Sequence, residues 1–210
     1  AHRQGELPSS ERLDAARDAV GYRLLRFDLG RQAVQLPRPG MRLDFGGIGK
    51  GMAADLAMQE IRGMGIRSAL VDSGGDMAIG DAPPGSGGWR VGVAGLDPDR
   101  AERAILLSNV GIATSGDAHQ FVEIDGTRYS HIVDPGTGIG LTIRSSVTVI
   151  AADGTLADAV ASAVSVLGPR RGTRLVRHWR GVEVQVLSLK DSVLVRHTTP
   201  GFPKRIAAEP

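Results

Sequence analysis

The spacing of apolar positions divides the chain into short extended runs and a few helical stretches. Ser9 or Ser10, then Glu11 and the apolar positions Leu13, Ala16 and Val20, predict a capped amphipathic helix that ends at Gly21 and packs through its apolar side. Tyr22 to Leu29 and Ala33 to Leu36 flank Gly30-Arg31 and predict a β-hairpin, with Pro37-Arg38-Pro39-Gly40 as its exit turn. A short apolar piece at Leu43 then runs into glycines. A helix opens after Gly51, repeats its apolar residues at Met52, Leu56 and Ile61, and stops near Arg62 before Gly63 and Gly65. A strand is expected at Ser68 to Val71.

Beyond that point the pattern changes to short strands and turns. Met77 to Ile79, Trp89 to Val93, Arg103 to Leu107 and Val110 to Thr114 read as strands, with a Pro/Gly/Ser-rich loop from Asp81 to Gly88. Phe121 to Ile124 and Thr127 to Val133 form a hairpin around Asp125-Gly126, a pair suited to a two-residue turn. Ser146 to Ala151 alternates as another strand. Helices follow at Thr155 to Leu167, ended by Gly168-Pro169, and at Pro169 to Trp179, ended by Gly181. Val182 to Leu189 and Ser192 to His197 close the chain as a hairpin around Lys190-Asp191, and the tail after Pro200 is expected to be loose. Strand, glycines, helix, strand and then Asp72 could begin a dinucleotide-binding unit. The run of strands that follows argues instead for an α+β fold, with mixed or antiparallel sheet and flanking helices. No repeat or interior linker divides residues 1–210, which read as one domain.

Composition narrows the function classes. Hydrophobic residues make up 41% and charged residues 23%, which suits a globular domain with a proper core. Aromatic residues are 4%, too few for a base-stacking platform. The isoelectric point near 9.4 rests on two nearly cancelling totals, 25 basic and 23 acidic residues, and a net charge of +2 gives no reason to expect nucleic acid or a membrane surface. The absence of cysteine removes disulfides, thiolate metal sites, cysteine nucleophiles and a lipidated N-terminal cysteine. No stretch approaches the roughly 18 apolar residues of a spanning helix. The first residues show no apolar core of a signal peptide, and with no initiator methionine the chain is expected to be processed or truncated.

Five clusters could carry chemistry. Leu43 to Asp55 places four glycines around Lys50 at a helix start. Glycine lets N–H groups turn inward, the helix end adds a partial positive charge and Lys50 a full one, so a phosphate is the natural ligand. The spacing is neither that of a P-loop nor of the dinucleotide fingerprint, and the stretch also reads as a glycine-rich turn. Thr114-Ser115-Gly116-Asp117 could rim a site or serve as a plain turn. In Arg128 to Gly138, strand alternation puts Tyr129, His131 and Val133 on one face, where His131 could act as a general base or as a structural hydrogen-bonder. Asp158 and Ser162 lie one turn apart on a helix of small residues, which suits a hard divalent cation or an exposed acid near a helix start. Arg170, Arg171, Arg174, Arg177 and Arg180 read best as a solvated basic helix face.

Taken in order, Leu43-Asp44-x-Gly-Gly-Ile-Gly-Lys-Gly, Val71-x-Ser-Gly-Gly-Asp76, Trp89-Arg90-Val-Gly-Val, Ala113-Thr-Ser-Gly-Asp117, Tyr129-Ser-His-Ile-Val-Asp134-Pro-x-Thr-Gly138 and Ala157-Asp158-Ala-Val-Ala-Ser162 resemble the ApbE family of FAD:protein FMN transferases, over roughly Leu24 to Gly168. The resemblance implies an α+β flavin transferase fold. It also implies Mg²⁺-dependent transfer of FMN from FAD to a Thr or Ser hydroxyl of a partner, such as a redox-pump subunit or flavin reductase, with release of AMP. Carried over by motif, Asp44 and Lys50 are FAD contacts and Ile132 lies against the nucleotide. The Gly47 carbonyl, Asp158 and Ser162 hold Mg²⁺, and His131 takes the acceptor's proton. Ser162 stands where many relatives have Thr, which keeps the ligand oxygen. Family members usually carry a further segment before the part that starts here, with early flavin contacts. The resemblance implies a periplasmic or membrane-anchored precursor, with a cytoplasmic protein as the alternative. An FAD pyrophosphatase and a non-catalytic flavin-binding module are the alternative functions.

Overall fold

The computed structural model describes residues 5–97, 101–116, 120–190 and 193–203. In chain order the elements begin with α1 (Ser10–Asp18), a 3₁₀ turn at Tyr22–Leu24, β1 (Arg26–Asp28), β2 (Ala33–Gln35), α2 (Gly49–Gly63), β3 (Leu70–Ser73) and β4 (Asp76–Ile79). They continue with β5 (Trp89–Ala94), β6 (Ala101–Leu107), β7 (Val110–Gly116), β8 (Phe121–Ile124), β9 (Thr127–Ser130), β10 (Val133–Asp134) and β11 (Ile139–Gly140). The last are β12 (Ser145–Ala151), α3 (Gly154–Val176), β13 (Glu183–Lys190) and β14 (Val193–Thr198). They fall into two compact units: Ala1–Asp44 with Phe121–Thr142, and Phe45–Gln120 with Ile143–Pro210.

The larger unit is built on a six-stranded sheet of order β14-β13-β12-β7-β4-β3, and every described strand pair in it is antiparallel. Alternation along β12 explains its central place. Val147 and Val149 join a core with Ala157, Val160, Ala161 and Val164 of α3, whereas Ile150 joins a second core with Val91, Val93, Ile105 and Leu107 of the β5–β6 ribbon. One face of the sheet therefore carries α3 and the other carries the ribbon. A third cluster packs Ala54 and Met58 of α2 on Ala78, with Ala69 and Val71 beside it. The β3–β4 hairpin turns through Gly74 (φ 66°) and Gly75 (φ 95°), the left-handed pair that a two-residue turn demands.

The expected break between two helices is present inside α3, where Gly168 has φ 72° and ψ 174° and Pro169 restarts the helix. Two expectations change. The Thr114-Ser115-Gly116 piece is strand, not turn, because β7 pairs with β12 as far as Gly116 opposite Ser146; Asp117 lies outside the described residues. Phe202 is not loose tail: its ring is buried in the second core with the Arg103 guanidinium 5.1 Å from its centre. Residues 204–210, and Asp191 and Ser192 of the last hairpin, lie outside the described residues.

The smaller unit is made of two-stranded pieces. β1 pairs β2 from Arg26↔Gln35 to Asp28↔Ala33, β8 pairs β9 around Asp125-Gly126, and β10 pairs β11. Ser9 caps α1 as its spacing predicts, but no residue of α1 is buried. Its apolar side holds one leucine and several alanines, and Ala15, Ala16 and Ala19 line an open groove of about 680 Å³ with Val20, Leu43 and Asp44. Among the described residues of this unit only Ile124 and Ser130 are buried. No described helix is long and apolar enough to cross a membrane.

Candidate functional site

The site in the larger unit is made where α2 meets the start of α3. Phe45 C=O accepts the N–H groups of Ile48 (3.0 Å) and Gly49 (2.7 Å), which coils Gly46 to Ile48 into a turn. The helix therefore opens at Gly49, three residues before the expected start, and no strand directly precedes it. Lys50 and Gly51 thus sit in the first helical turn. The glycines are explained by contact as much as by anion binding. A Cβ on Gly51 would fall 2.1 Å from the Gly154 carbonyl oxygen, and a Cβ on Gly47 would fall 3.0 Å from Ser162 Oγ.

Asp55, one turn further along α2, fastens the other helix. Its carboxylate accepts the N–H groups of Gly154 and Thr155, both at 2.8 Å, and the Thr155 hydroxyl at 2.6 Å. Asp153 caps the same helix through Leu156 N–H at 2.7 Å. Both acids satisfy first-turn donors that would otherwise be orphaned and sit at the positive end of the helix dipole. Four residues beyond Gly154 comes Asp158, which is 4% exposed. Its Oδ2 accepts the Gly51 N–H at 3.2 Å. One donor of the predicted phosphate cradle is therefore already held by a carboxylate.

A second buried acid completes the cluster. Asp76 is 1% exposed, and its Oδ1 accepts Thr114 N–H at 3.2 Å. Its Oδ2 lies 2.7 Å from Lys50 Nζ as an ion pair but receives no hydrogen bond with proper angles. Burial is the largest influence on Asp158 and raises its pKa above the ordinary carboxylate value, with the Asp76 charge adding to the rise. The Gly51 N–H and Lys50 oppose it. Two buried carboxyl groups, Asp76 and Asp158, thus share the junction with one ammonium, that of the half-exposed Lys50.

Of the residues singled out by motif, Gly47, Lys50, Asp158 and Ser162 are brought to this junction from both ends of the unit. Asp44, His131 and Ile132 belong to the smaller unit. Asp44 is exposed in irregular chain at the end of the groove described above. His131 is exposed in a bend, because the strand expected through Val133 stops at Ser130. Leu141 is bonded on both sides of it, accepting Ser130 N–H at 2.7 Å and donating to Ile132 C=O at 2.9 Å. Ser130 Oγ also accepts Ile132 N–H at 3.1 Å, so the chain on either side of His131 is fixed and the alternation expected along one strand is interrupted. Asp72 accepts Gly75 N–H on Oδ1 (2.7 Å) within the β3–β4 turn, a turn-closing role that accounts for an acid at this position.

The ApbE family model matches residues 1–186. The chain belongs to the ApbE family. It is 37% identical over 161 residues to the FAD:protein FMN transferase of Treponema pallidum (strain Nichols), covering 71% of this chain and 44% of that protein. It is 30% identical over 213 residues to that of Escherichia coli (strain K12), covering 97% and 59%. Among solved structures, the ApbE protein of Thermotoga maritima superposes with a TM-score of 0.80 at 32% identity, over 91% of this chain and 62% of that one. The flavin transferase ApbE from Vibrio cholerae gives 0.82 at 28% identity, over 94% and 62%. The α+β fold is thus that of ApbE flavin transferases, and the chain spans about half the length of the curated relatives it matches.

Within that family frame, the junction fits a hard divalent cation. Its donors are all oxygens, Gly47 has no side chain to fill the space beside Ser162, and two acids are buried there. Among the described residues there is no cluster of three His, Cys, Asp or Glu for a metal, so a cation here would draw on hydroxyl, carbonyl, water or phosphate oxygens besides the acids. Asp55 and Asp76 had no assigned role in the sequence reading. Asp76 was detectable as the acid that starts an otherwise apolar strand, on the same strand face as the buried Ala78. Asp55 gave no local sign, since its partners Gly154 and Thr155 come from the far end of the chain.

Proposed function

We propose that the chain carries the catalytic part of a Mg²⁺-dependent FAD:protein FMN transferase, with residues 1–210 forming one flavin transferase domain. The observation that supports this reading most is the α2–α3 junction, where motif residues from opposite ends of the sequence share one negatively charged oxygen site beside a lysine. The Gly47 carbonyl, Asp158 and Ser162 hold the metal; when bound, Mg²⁺ supplies charge neutralisation at the pyrophosphate and at the departing phosphate. Lys50 adds a positive charge for the phosphate oxygens. Asp44 and Ile132 are nucleotide contacts, and His131 accepts the proton of the attacking hydroxyl; these three roles rest on the family motifs. In the reaction a Thr or Ser hydroxyl oxygen of the acceptor protein bonds to the FMN phosphorus. The phosphoanhydride bond to the adenylate breaks and AMP leaves with the bridging oxygen.

The partner is a protein with a Thr/Ser flavinylation motif, of the redox-pump or flavin-reductase kind. The compartment proposed for the precursor is the periplasm or its membrane surface, with the cytoplasm as alternative. The test is incubation with FAD, Mg²⁺ and an acceptor peptide. Covalently flavinylated peptide and AMP in equal amounts are expected. Free FMN with unlabelled peptide would replace the transferase by a pyrophosphatase, and unchanged FAD would leave only flavin binding.

A further inference from the structure

The lysine at the junction is chemically unusual for this chain, which has only three lysines, Lys50, Lys190 and Lys204, among its 25 basic residues. Apart from these three the chain uses arginine as its cation. A guanidinium is broad and planar, whereas an ammonium is a compact point charge on a flexible stem. At this position the stem passes the β3–β4 turn, with Lys50 Cδ 3.9 Å from where a Cβ on Gly74 would lie. The compact head reaches Asp76 Oδ2 at 2.7 Å. The two partners are unequal: the Lys50 side chain is 48% exposed, but that of Asp76 is 2% exposed.

Asp76 is itself fixed. It begins β4 directly after a turn set by two left-handed glycines, pairs with Ser73, and receives Thr114 N–H on its other oxygen. A buried carboxylate held this way costs desolvation, which a single half-exposed lysine does not fully offset. An acid this deeply buried, with Oδ2 beside the Lys50 ammonium and without a well-aligned hydrogen bond among the described residues, calls for a role beyond packing.

We infer that Asp76 is a positioning residue that holds the Lys50 ammonium in place at the start of α2, so that an anionic phosphate meets a pre-set charge rather than a free lysine chain. This rests on the reading of the junction as a phosphate and metal site. Holding a long side chain in its binding geometry before the ligand arrives removes part of the ordering cost of association. The same logic explains why the acid is buried and the base is not: the anchor stays fixed while the charge faces solvent.

The test starts with lysine ammonium NMR on the metal-free chain, where Lys50→Met assigns one of three signals. The Lys50 signal is expected to exchange with water more slowly in the wild type than in Asp76→Asn; equal exchange overturns the inference without any ligand present. Asn keeps an oxygen for Thr114 N–H, and thermal unfolding checks that the variant is folded. FAD affinity is then measured by flavin fluorescence for the wild type, both single variants and the double variant. Asp76→Asn should weaken binding by about tenfold in the Lys50 background and by less than about twofold in Lys50→Met. A gain in affinity would show Asp76 to be merely a repulsive charge, and an equal loss in both backgrounds would show a role unrelated to Lys50. Wild-type protein that fails to bind FAD at all would instead refute the site reading, leaving the NMR result to stand or fall alone.

Discussion

The α2–α3 junction and the bend at His131 are held by opposite means. At the junction, helix backbones touch where glycine replaces a side chain, carboxylates cap the first turn of α3, and two acids lie almost wholly buried. At the bend, a two-residue interruption between short strands leaves the histidine side chain exposed, in a segment whose flanking backbone is bonded to Leu141. The first arrangement cannot change without moving a core. The second lies at the surface, where a change of side chain reaches no core. A group that holds a cation needs the former, and one that must meet a second protein's hydroxyl and release it suits the latter.

The sharpest test of the contrast is Gly51→Ala. Its Cβ would collide with backbone, not with a movable side chain, so α2 and α3 must separate. Overpacking of this kind costs about 3 kcal/mol, and at roughly 2–4 °C per kcal/mol for a chain of this size the melting temperature should fall by about 6–12 °C. Gly30→Ala in the β1–β2 loop meets nothing closer than 3.5 Å and has no left-handed backbone, so its change should stay within about 0.5 kcal/mol. Similar losses for the two would break the comparison.

Next in size is the effect of the cation. In the metal-free chain Asp158 has a raised pKa, so the folded state holds its proton more tightly than the unfolded state does. Stability from this group is therefore largest at low pH and is lost as pH rises from the ordinary carboxylate value through the raised one. Asp158→Asn should flatten that slope. Mg²⁺ at about a hundred times its dissociation constant should add about 2.7 kcal/mol, with the gain growing over the same rise in pH because the ion binds the deprotonated acid. The absence of both effects in wild-type thermal melts would remove Asp158 from the site.

How much of this was legible beforehand follows from how local each signal is. The α3 break at Gly168-Pro169 and the Asp125-Gly126 turn are set by neighbouring residues and are found where the sequence puts them. Asp158 and Ser162 share a helix face by simple periodicity. The strand expected through His131 fails because the bonds to Leu141 that interrupt it come from a later segment, which alternation cannot see. The start of α2 fails for a similar reason: the Phe45 carbonyl gathers two N–H groups, and the glycines respond to Gly154 and Ser162 a hundred residues away. Family motifs bridge such distances, while hydropathy patterns do not.

Asp55→Ala isolates that long-range contribution. It removes the acceptor for two backbone N–H groups and one hydroxyl at the start of α3. A lost cap with partly buried donors costs about 2 kcal/mol. Asp134→Ala, in the smaller unit, loses an exposed bond to Gly136 N–H at 2.7 Å and should cost less, about 0.5 kcal/mol. Denaturant midpoints with unchanged slopes would give both values. Mg²⁺ affinity should fall only in Asp55→Ala, because that variant alone loosens the helix carrying Asp158 and Ser162.

The smallest effect on the fold is expected from His131→Ala, and it is the most telling for function. The side chain is exposed and touches no core, so truncation should change stability by less than about 0.5 kcal/mol. FAD affinity and the Mg²⁺ response should remain at wild-type values, because the proposed nucleotide contacts Asp44, Lys50 and Ile132 and the proposed metal ligands are all left in place. Transfer to an acceptor peptide should nevertheless drop by about 10²–10⁴-fold, the usual contribution of a general base. A structural histidine would give the reverse pattern, with a lower melting temperature and transfer reduced only in proportion to unfolded protein. Equal transfer rates for the two proteins would end the general-base role, and the bend at His131 would then have no chemical part to set against the junction.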